Sequence, residues 1–418
     1  MSPLSAAEAA RHILEHVELQ PPLQVPLDDA LHQVLAEDVV SPLDIPAHDN
    51  SAMDGYAVRG EDVAGATPSN SVPLRIVEHL PAGRFPTTTI AAGECARIFT
   101  GSPLPDGADS VIRQEDTDMG DPVVGVRGDR DVGRNIRLAG EDIRRGDTVL
   151  TAGTQLTAAH LGVLASMAMA NPMIYRAPRV GILGSGDEIA GIDQPEEILS
   201  GRKTASSNSH TLRALVREAG GEPVDLGIAA DTPESLQQHF ERGADCDLLI
   251  TSAGISVGEH DYVRQVLQAM DGSIDFWRLR MRPGAPVGFG HVRGMPWVGL
   301  PGNPVSAMVT FELFVRPAVR KMTGHTLPFR RSVPVTVTEP VRITAGLQHF
   351  LRAIVTTGED GEREATLTGP QGSGILTSMI RANALLIIPE GHSEILPGTE
   401  LRAILFEDPG HQEEPAFA

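Results

Sequence analysis

Three glycine-bearing loops and the carboxylates beside them are the parts of this sequence best suited to chemistry on an anion. The first is Gly184-Ser185-Gly186-Asp187-Glu188. The second runs from Ser252 through Gly254, Ser256 and Gly258, and the third is Leu300-Pro301-Gly302-Asn303-Pro304. Glycine lets backbone N–H groups come close to an anion, and a helix starting just after such a loop adds about half a positive charge at its N-terminus. Asn303 suits an N-cap and Pro304 the first helical position. Glu188 ends the first loop, Asp231 follows an expected strand, and Asp261 follows the second loop. As hard oxygen donors they suit Mg²⁺, which keeps its waters and bridges one or two carboxylates to substrate phosphates. Asp231 and Asp261 also stand where helix N-caps would, so that reading remains open. No His/Cys set at metal-ligand spacing competes, and the two cysteines, Cys95 and Cys246, exclude a zinc ribbon, an iron–sulfur site or a disulfide scaffold.

Arg278, Arg280 and Arg282 alternate along FWRLRMRPG. On a strand that alternation puts all three on one face, as oxyanion ligands or as a solvated edge. The segment DNSAMDGYA at 49–57 has neither helix nor strand period. It reads as a structural turn or as a loop presenting Asp54 to a cleft from a second domain.

The elements that must position these groups fall into three textures. Residues 3–18 form a short helix. Residues 42–142 are short apolar runs between turns (LRIVEHL, CARIF, DSVIRQE, VVGVR) and read as a small all-β unit; GDTVLTAGTQL is a hairpin signal and TAAHLGVLASMAM a helix. From Arg179 strands alternate with helices: RVGILGSG, HTLRALVREAGG, EPVDLGIA, TPESLQQHFERG and CDLLITSAG. That order indicates βαβ units and a mostly parallel sheet, whose ligands bind beyond the carboxyl ends of the strands. After PVSAMVTFELFVRPAVRKM the chain returns to strands and turns.

Composition narrows the class. At ~100–200 residues per domain, 418 residues suggest two to four domains. A net charge of −21 argues against nucleic-acid or anionic-membrane partners, so positive charge for an anion must be local. No run approaches the ~18 apolar residues of a membrane span, and the N-terminal segment lacks a signal pattern, so a cytoplasmic protein is expected.

The motifs DNSAMDGYA (49–57), RIFTGSPLPDGAD (97–109), NIRLAGEDI (135–143), GSGDE (184–188), SAGISVGEHDY (252–262) and LPGNPVSA (300–307) occur in this order. In this the chain resembles the molybdenum insertases, the family of bacterial MoeA and the gephyrin E domain, from about residue 5 to 405. The resemblance implies insertion of molybdenum from molybdate into adenylylated molybdopterin, with Mg²⁺ as cofactor and release of AMP. It also implies a homodimer whose cleft is shared between subunits, with a MogA-type adenylyltransferase and recipient molybdoenzymes as further partners. The implied fold is multidomain α/β plus β. A MogA-like α/β domain with a mostly parallel sheet takes 1–20 and 172–325, a linking domain 21–41 and 143–171, a small β domain 42–142, and a C-terminal β-barrel-like domain 326–418. The family's functional acids fall on Asp54, Asp142, Glu188, Asp231 and Asp261, its TG threonine on Thr100, and its metal ligands on Glu188, Asp231 and Asp261. Gly254, Ser256 and Gly258 match its phosphate loop, and Arg278 and Arg282 its two basic positions. Pro301 and Pro304 match LPGNP, and Arg352 and Ser373 the residues implicated in molybdate binding.

The chain departs from the family pattern at the implied cleft. Ala285 replaces a lysine, Ala253 replaces the first glycine of Gly-Gly-x-Ser, and Thr204-Ala205-Ser206-Ser207-Asn208 lacks the usual tyrosine. An alternative follows: a divergent paralogue that binds molybdopterin or acts as a scaffold with weak or no insertase activity.

Overall fold

The computed structural model describes residues 3–253, 262–358 and 361–406, and the chain divides into two compact units. One takes the described residues up to Val25, His32–Ala36 and those from Met173 onward; the other takes Pro26–Leu31 and Glu37–Pro172. Among the described residues no helix is long and apolar enough to cross a membrane.

The first unit opens with α1 (Ala6–Glu15). Ser5 and Glu8 form a capping box: the Ser5 Oγ accepts from the Glu8 N–H at 3.2 Å, and Glu8 Oε2 accepts from the Ser5 N–H at 2.8 Å. Ala6, Ala9, Ala10 and Ile13 then fall on one helical face and are buried in the main core.

The second unit is built on β1 (Gly55–Val58), β2 (Val72–Leu80), β3 (Glu94–Ile98), β4 (Ser110–Arg113) and β5 (Val123–Val126). They form one sheet in the order β4-β1-β3-β2-β5, with α2 (Ala158–Ser166) later in the unit. The hairpin expected over 146–156 does not form. Its turn closes, with Thr154 N–H on the Thr151 carbonyl at 3.2 Å. Thr148–Leu150 nevertheless pairs antiparallel with Val39–Val40, because the buried Val39 offers an apolar partner that the turn residues do not.

The α/β layer of the first unit follows the expected alternation: β6 (Arg179–Ser185), α3 (Ser207–Glu218), β7 (Glu222–Ala229), α4 (Pro233–Arg242), β8 (Leu248–Ser252), α5 (Tyr262–Ala269), β9 (Ser273–Phe276), β10 (Gly288–Val292), β11 (Met295–Leu300) and α6 (Pro304–Thr310). The sheet order is β7-β6-β8-β11-β10-β9. The first four strands run parallel, and β10 and β9 are antiparallel additions. β6 and β8 are buried almost throughout, as strands covered on both faces must be. After α6 the chain widens to π spacing over Phe311–Val315 before α7 (Arg316–Met322). Pro317 has no N–H to return to the preceding turn, which explains the local relaxation.

The rest is a closed five-stranded barrel of β12 (Ser332–Val337), β13 (Gln348–Thr357), β14 (Arg363–Leu367), β15 (Ala384–Ile388) and β16 (Glu400–Leu405). Its order is β13-β14-β12-β16-β15, and β15 pairs back onto β13. The barrel is joined to the α/β layer by the two-residue strand Met281–Arg282, which runs parallel to Gln348–His349. That junction sets Arg282 beside the barrel mouth.

Candidate functional site

Two cavities of the first unit meet at Pro286, Pro301 and Asn303. The first, about 560 Å³, lies at the carboxyl ends of β6, β8 and β11. Gly184, Ser185 and Glu188 line it from the first loop, Ser252 and Ala253 from the second, and Pro301 to Pro304 from the third. Asn303 takes the N-cap position of α6 and Pro304 follows at its start, although the Asn303 side chain makes no cap hydrogen bond. Thr204 to Asn208 close the remaining wall. Asn208 clasps two loops together: its Nδ2 donates to Ser252 Oγ at 2.7 Å and to the Gly302 carbonyl at 2.8 Å. Asn208 ends the Thr204-to-Asn208 run that lacks the family's tyrosine, and its role as a clasp carries no periodic signal.

Ala253 has φ +82°, in the left-handed region where a Cβ costs about 1–2 kcal/mol. A Cβ on Gly302 would come within 3.2 Å of the Ala253 Cβ, so the two loops approach closely here. Ala253→Gly is therefore expected to raise stability by about 1 kcal/mol, read as a higher urea midpoint at unchanged slope. An unchanged or lower midpoint would count against strain at this turn.

The acids are arranged by backbone donors. Gly186 has φ +136°, and a Cβ there would lie 2.6 Å from Glu188 Oε2, so the Glu188 carboxylate folds back over the glycine. Asp187 and Asp231 clasp neighbouring loops: Asp187 N–H donates to Asp231 Oδ2 at 3.4 Å, and Asp231 N–H donates to Asp187 Oδ1 at 3.2 Å. The N-cap of α4 is Thr232, whose Oγ1 accepts from Ser235 N–H, so Asp231 is not the cap. Gly254, Ser256, Gly258 and Asp261 lie outside the described residues. Glu188 and Asp231 offer only oxygen, the donor chemistry Mg²⁺ prefers. Among the described residues they belong to no preformed cluster of three ligands.

The second cavity, about 820 Å³, lies between the α/β layer and the barrel. Arg282, Ala285, Pro301, Arg352, Gln371 and Ser373 are in its wall. Arg352 on β13 is completely buried. Its Nε donates to Ser378 Oγ and its Nη2 to the Gly372 carbonyl, both at 3.0 Å. Its Nη1 is buried with no partner, and among the described residues no carboxylate pairs with it. Burial pushes the guanidinium below its ordinary range. A buried cation without a counter-charge is costly, and an anion is the chemistry that would offset it. His349, also in the wall, donates Nε2–H to the Thr344 carbonyl at 3.0 Å, and burial lowers its pKa. Gln371 holds the β13 backbone, accepting from Arg352 N–H at 2.9 Å. Neither was legible in sequence, because burial and pairing decide their roles.

The single strand expected to carry three arginines is absent. β9 ends at Phe276, and only Met281–Arg282 returns to strand. Burial still alternates, because Leu279 and Met281 enter the core. Arg280, however, is taken up by Glu390 at 3.2 Å and by the Pro3 carbonyl. Arg278 is exposed and lines neither cavity, which leaves Arg282 as the one arginine of the three at the site.

Asp54, Thr100 and Asp142 belong to the other unit. Thr100 donates both its N–H and its Oγ1–H to Asp54 Oδ1 at 2.8 Å. Those bonds, the backbone one foremost, hold the exposed Asp54 carboxyl below the usual carboxylate range. The loop has little freedom: Ser51 Oγ bonds both the carbonyl and the N–H of Met53, and a Cβ on Gly55 would lie 2.0 Å from the Ile112 carbonyl oxygen. Arg97 stacks over the Tyr56 ring at 4.8 Å and donates to the Gly55 carbonyl at 3.2 Å. Asp142 is exposed, with its N–H on the Ile45 carbonyl at 3.1 Å.

Comparison with known proteins extends over both units. Family models match as the MoeA N-terminal region (domain I and II) over residues 4–168, a probable molybdopterin binding domain over 181–321, and the MoeA C-terminal region (domain IV) over 334–406. Molybdopterin molybdenumtransferase 2 of Mycobacterium tuberculosis (strain ATCC 25618 / H37Rv) is 39% identical over 405 residues, covering 95% of this chain and 98% of that protein. Molybdopterin molybdenumtransferase of a Nostoc species is 36% identical over 389 residues, covering 88% of this chain and 85% of that protein. The crystal structure of the molybdopterin biosynthesis moeA protein from Pyrococcus horikoshii OT3 superposes with a TM-score of 0.79 at 29% identity, covering 97% of this chain and all of that one.

Proposed function

Because this chain belongs to the MoeA family of molybdopterin molybdenumtransferases, it is a transferase of molybdenum cofactor biosynthesis, and we propose that it inserts molybdenum from molybdate into adenylylated molybdopterin with Mg²⁺-dependent release of AMP. The observation that carries the molybdate half of this reading is Arg352, buried in the wall of a cavity with no carboxylate partner among the described residues and with Nη1 unused. A tetrahedral dianion accepts from Arg352, Arg282 and Ser373 together, and charge-assisted bonds of this kind are about twice as strong as neutral ones. The adjoining cavity at the strand ends takes the phosphate-bearing part of the substrate, as parallel α/β sheets do. Glu188 and Asp231, with Asp261, would hold Mg²⁺, which when bound neutralises charge on pyrophosphate oxygens. Asp54, kept ionised by Thr100, orients a water for the cleavage. In this reading the enzyme is a cytoplasmic homodimer, supplied by a MogA-type adenylyltransferase and delivering to molybdoenzymes.

The test is reconstitution. Purified protein, adenylylated molybdopterin, Mg²⁺ and a molybdate titration are combined, and AMP release and activation of a cofactor-free molybdoenzyme are followed. Molybdate-dependent AMP release with activation is the expected result. Binding of the precursor without either signal would replace this reading with a binding or scaffold role. That second reading has one observation behind it: Ala285 occupies the wall of the anion cavity where the family has lysine. Ala285→Lys is accordingly expected to lower the molybdate concentration giving half-maximal rate by about tenfold, the effect of ~1.4 kcal/mol from one added cation. An unchanged titration would place position 285 out of reach of the anion.

A further inference from the structure

A cluster that the reaction does not use sits on the α/β layer. His12 is on α1, His16 is the C-cap residue one turn further on, and Asp275 is on β9. One ligating atom from each lies within 4.8 Å of those of the other two. His12 Nε2 is already 2.7 Å from Asp275 Oδ2. His16 Nδ1 lies 2.8 Å from the His12 carbonyl oxygen, and a carbonyl only accepts. That bond therefore places the proton on Nδ1 and leaves the neutral ring its lone pair on Nε2, the kind of outer contact that sets the tautomer of ligating histidines. His291 on β10 stands beside them with its ring centroid 5.6 Å from that of His16, and burial holds it toward the neutral form. Phe276 and Phe289 wall the group on the core side, their centroids 6.0 and 5.7 Å from that of His12.

We propose that His12, His16 and Asp275 bind a divalent transition metal of Zn²⁺ type, clipping the N-terminal helix to the sheet. Two imidazoles at helical i, i+4 spacing and a carboxylate from another element are the ligand set Zn²⁺ favours, with water in the fourth position. Imidazole disfavours Mg²⁺, so this site is chemically distinct from the oxygen donors of the strand-end loops. Binding displaces the proton shared by His12 and Asp275, and it ties α1 to β9 without touching the reaction cavities. His12 and His16 alone make no ligand set in the sequence, because the third ligand, Asp275, is far along the chain and only folding brings it near.

The test uses the untagged full-length chain, stripped with EDTA and titrated with ZnCl₂ by calorimetry and with Co²⁺ by visible absorption. Expected are one Zn²⁺ per chain, ligand-field bands for Co²⁺, and a Tm raised by a few degrees by Zn²⁺. The His12→Gln/His16→Gln double variant is expected to lose all three responses while keeping Mg²⁺-dependent AMP release, and Asp275→Asn to weaken Zn²⁺ at least tenfold. His16→Gln alone, at an exposed position, is expected to lose the Co²⁺ bands and keeps the test decisive should the double variant unfold. No binding by the wild-type chain, or one ion per chain retained in the double variant or in His16→Gln, overturns the proposal. The metal readouts need no molybdopterin, so their failure is separate from failure of the insertase reading.

Discussion

Arg352→Met is expected to raise the molybdate concentration for half-maximal AMP release by about a hundredfold without lowering the melting temperature. The two halves of this expectation have one cause. In the absence of an anion, Arg352 is a buried guanidinium with two neutral partners and one orphaned Nη1. A buried charge without a counter-charge burdens the fold, and apolar replacements of similar volume are often neutral or stabilising. The same orphaned donor is what an oxyanion would satisfy, and a charge-assisted hydrogen bond is worth about 1.5–3 kcal/mol, roughly ten- to hundredfold in affinity per bond. Thermal unfolding with and without molybdate separates the terms: the wild-type chain should gain stability on adding molybdate and the variant should not. A variant that melts several degrees lower and titrates with molybdate as the wild type does would make Arg352 a structural residue.

Asp54→Ala is expected to cut AMP release by about 10²–10⁴-fold, the range of a positioned proton-transfer or water-orienting group, while precursor binding persists. The position is exposed and its loop is held by Ser51 and by Gly55 against β4, so the substitution leaves the fold intact. Thr100→Val is the companion measurement. It removes one of the two donors on Asp54 Oδ1 and lets the carboxyl rise toward its ordinary value. Activity that depends on the carboxylate then fails at a higher pH than in the wild type, so the acid limb of the rate profile moves up. The sign is the same for stability: a depressed carboxyl stabilises the fold above its unfolded value, and that contribution is lost as pH falls through the folded one. An acid limb that does not move would mean that Asp54 does not titrate in the reaction.

Much of this site could be read from residue types and spacing, for reasons that are local. The strand-end loops announce themselves by glycine and proline, and the helices behind them by caps such as Thr232 with Pro233 or Asn303 with Pro304. Residue type and spacing mark Glu188 and Arg282, while only the family resemblance marks Arg352 and Ser373; the structure sets Glu188 in one cavity and the other three in its neighbour. What stayed hidden was long-range. Arg280 looked like a partner of Arg282 until the Glu390 carboxylate, far along the chain, took it. Thr148–Leu150 looked like half of a hairpin until Val39–Val40 paired with it. His349 carries no pattern, and neither does the clasp made by Asn208, since both roles come from what folds around them.

The join between barrel and α/β layer has a consequence for how such enzymes diversify. Met281–Arg282 and the start of β13 form the strand pairing across it, and the second cavity draws Arg352, Gln371 and Ser373 from the barrel side and Arg282 and Ala285 from the other. The cavity at the strand ends draws nothing from the barrel. On the reading proposed above, substitutions in residues 332–405 change the wall around Arg352 and leave the lining of the strand-end cavity untouched. On that reading a barrel transplanted between relatives carries its share of the oxyanion wall with it, while Arg282 and Ala285 stay with the α/β layer.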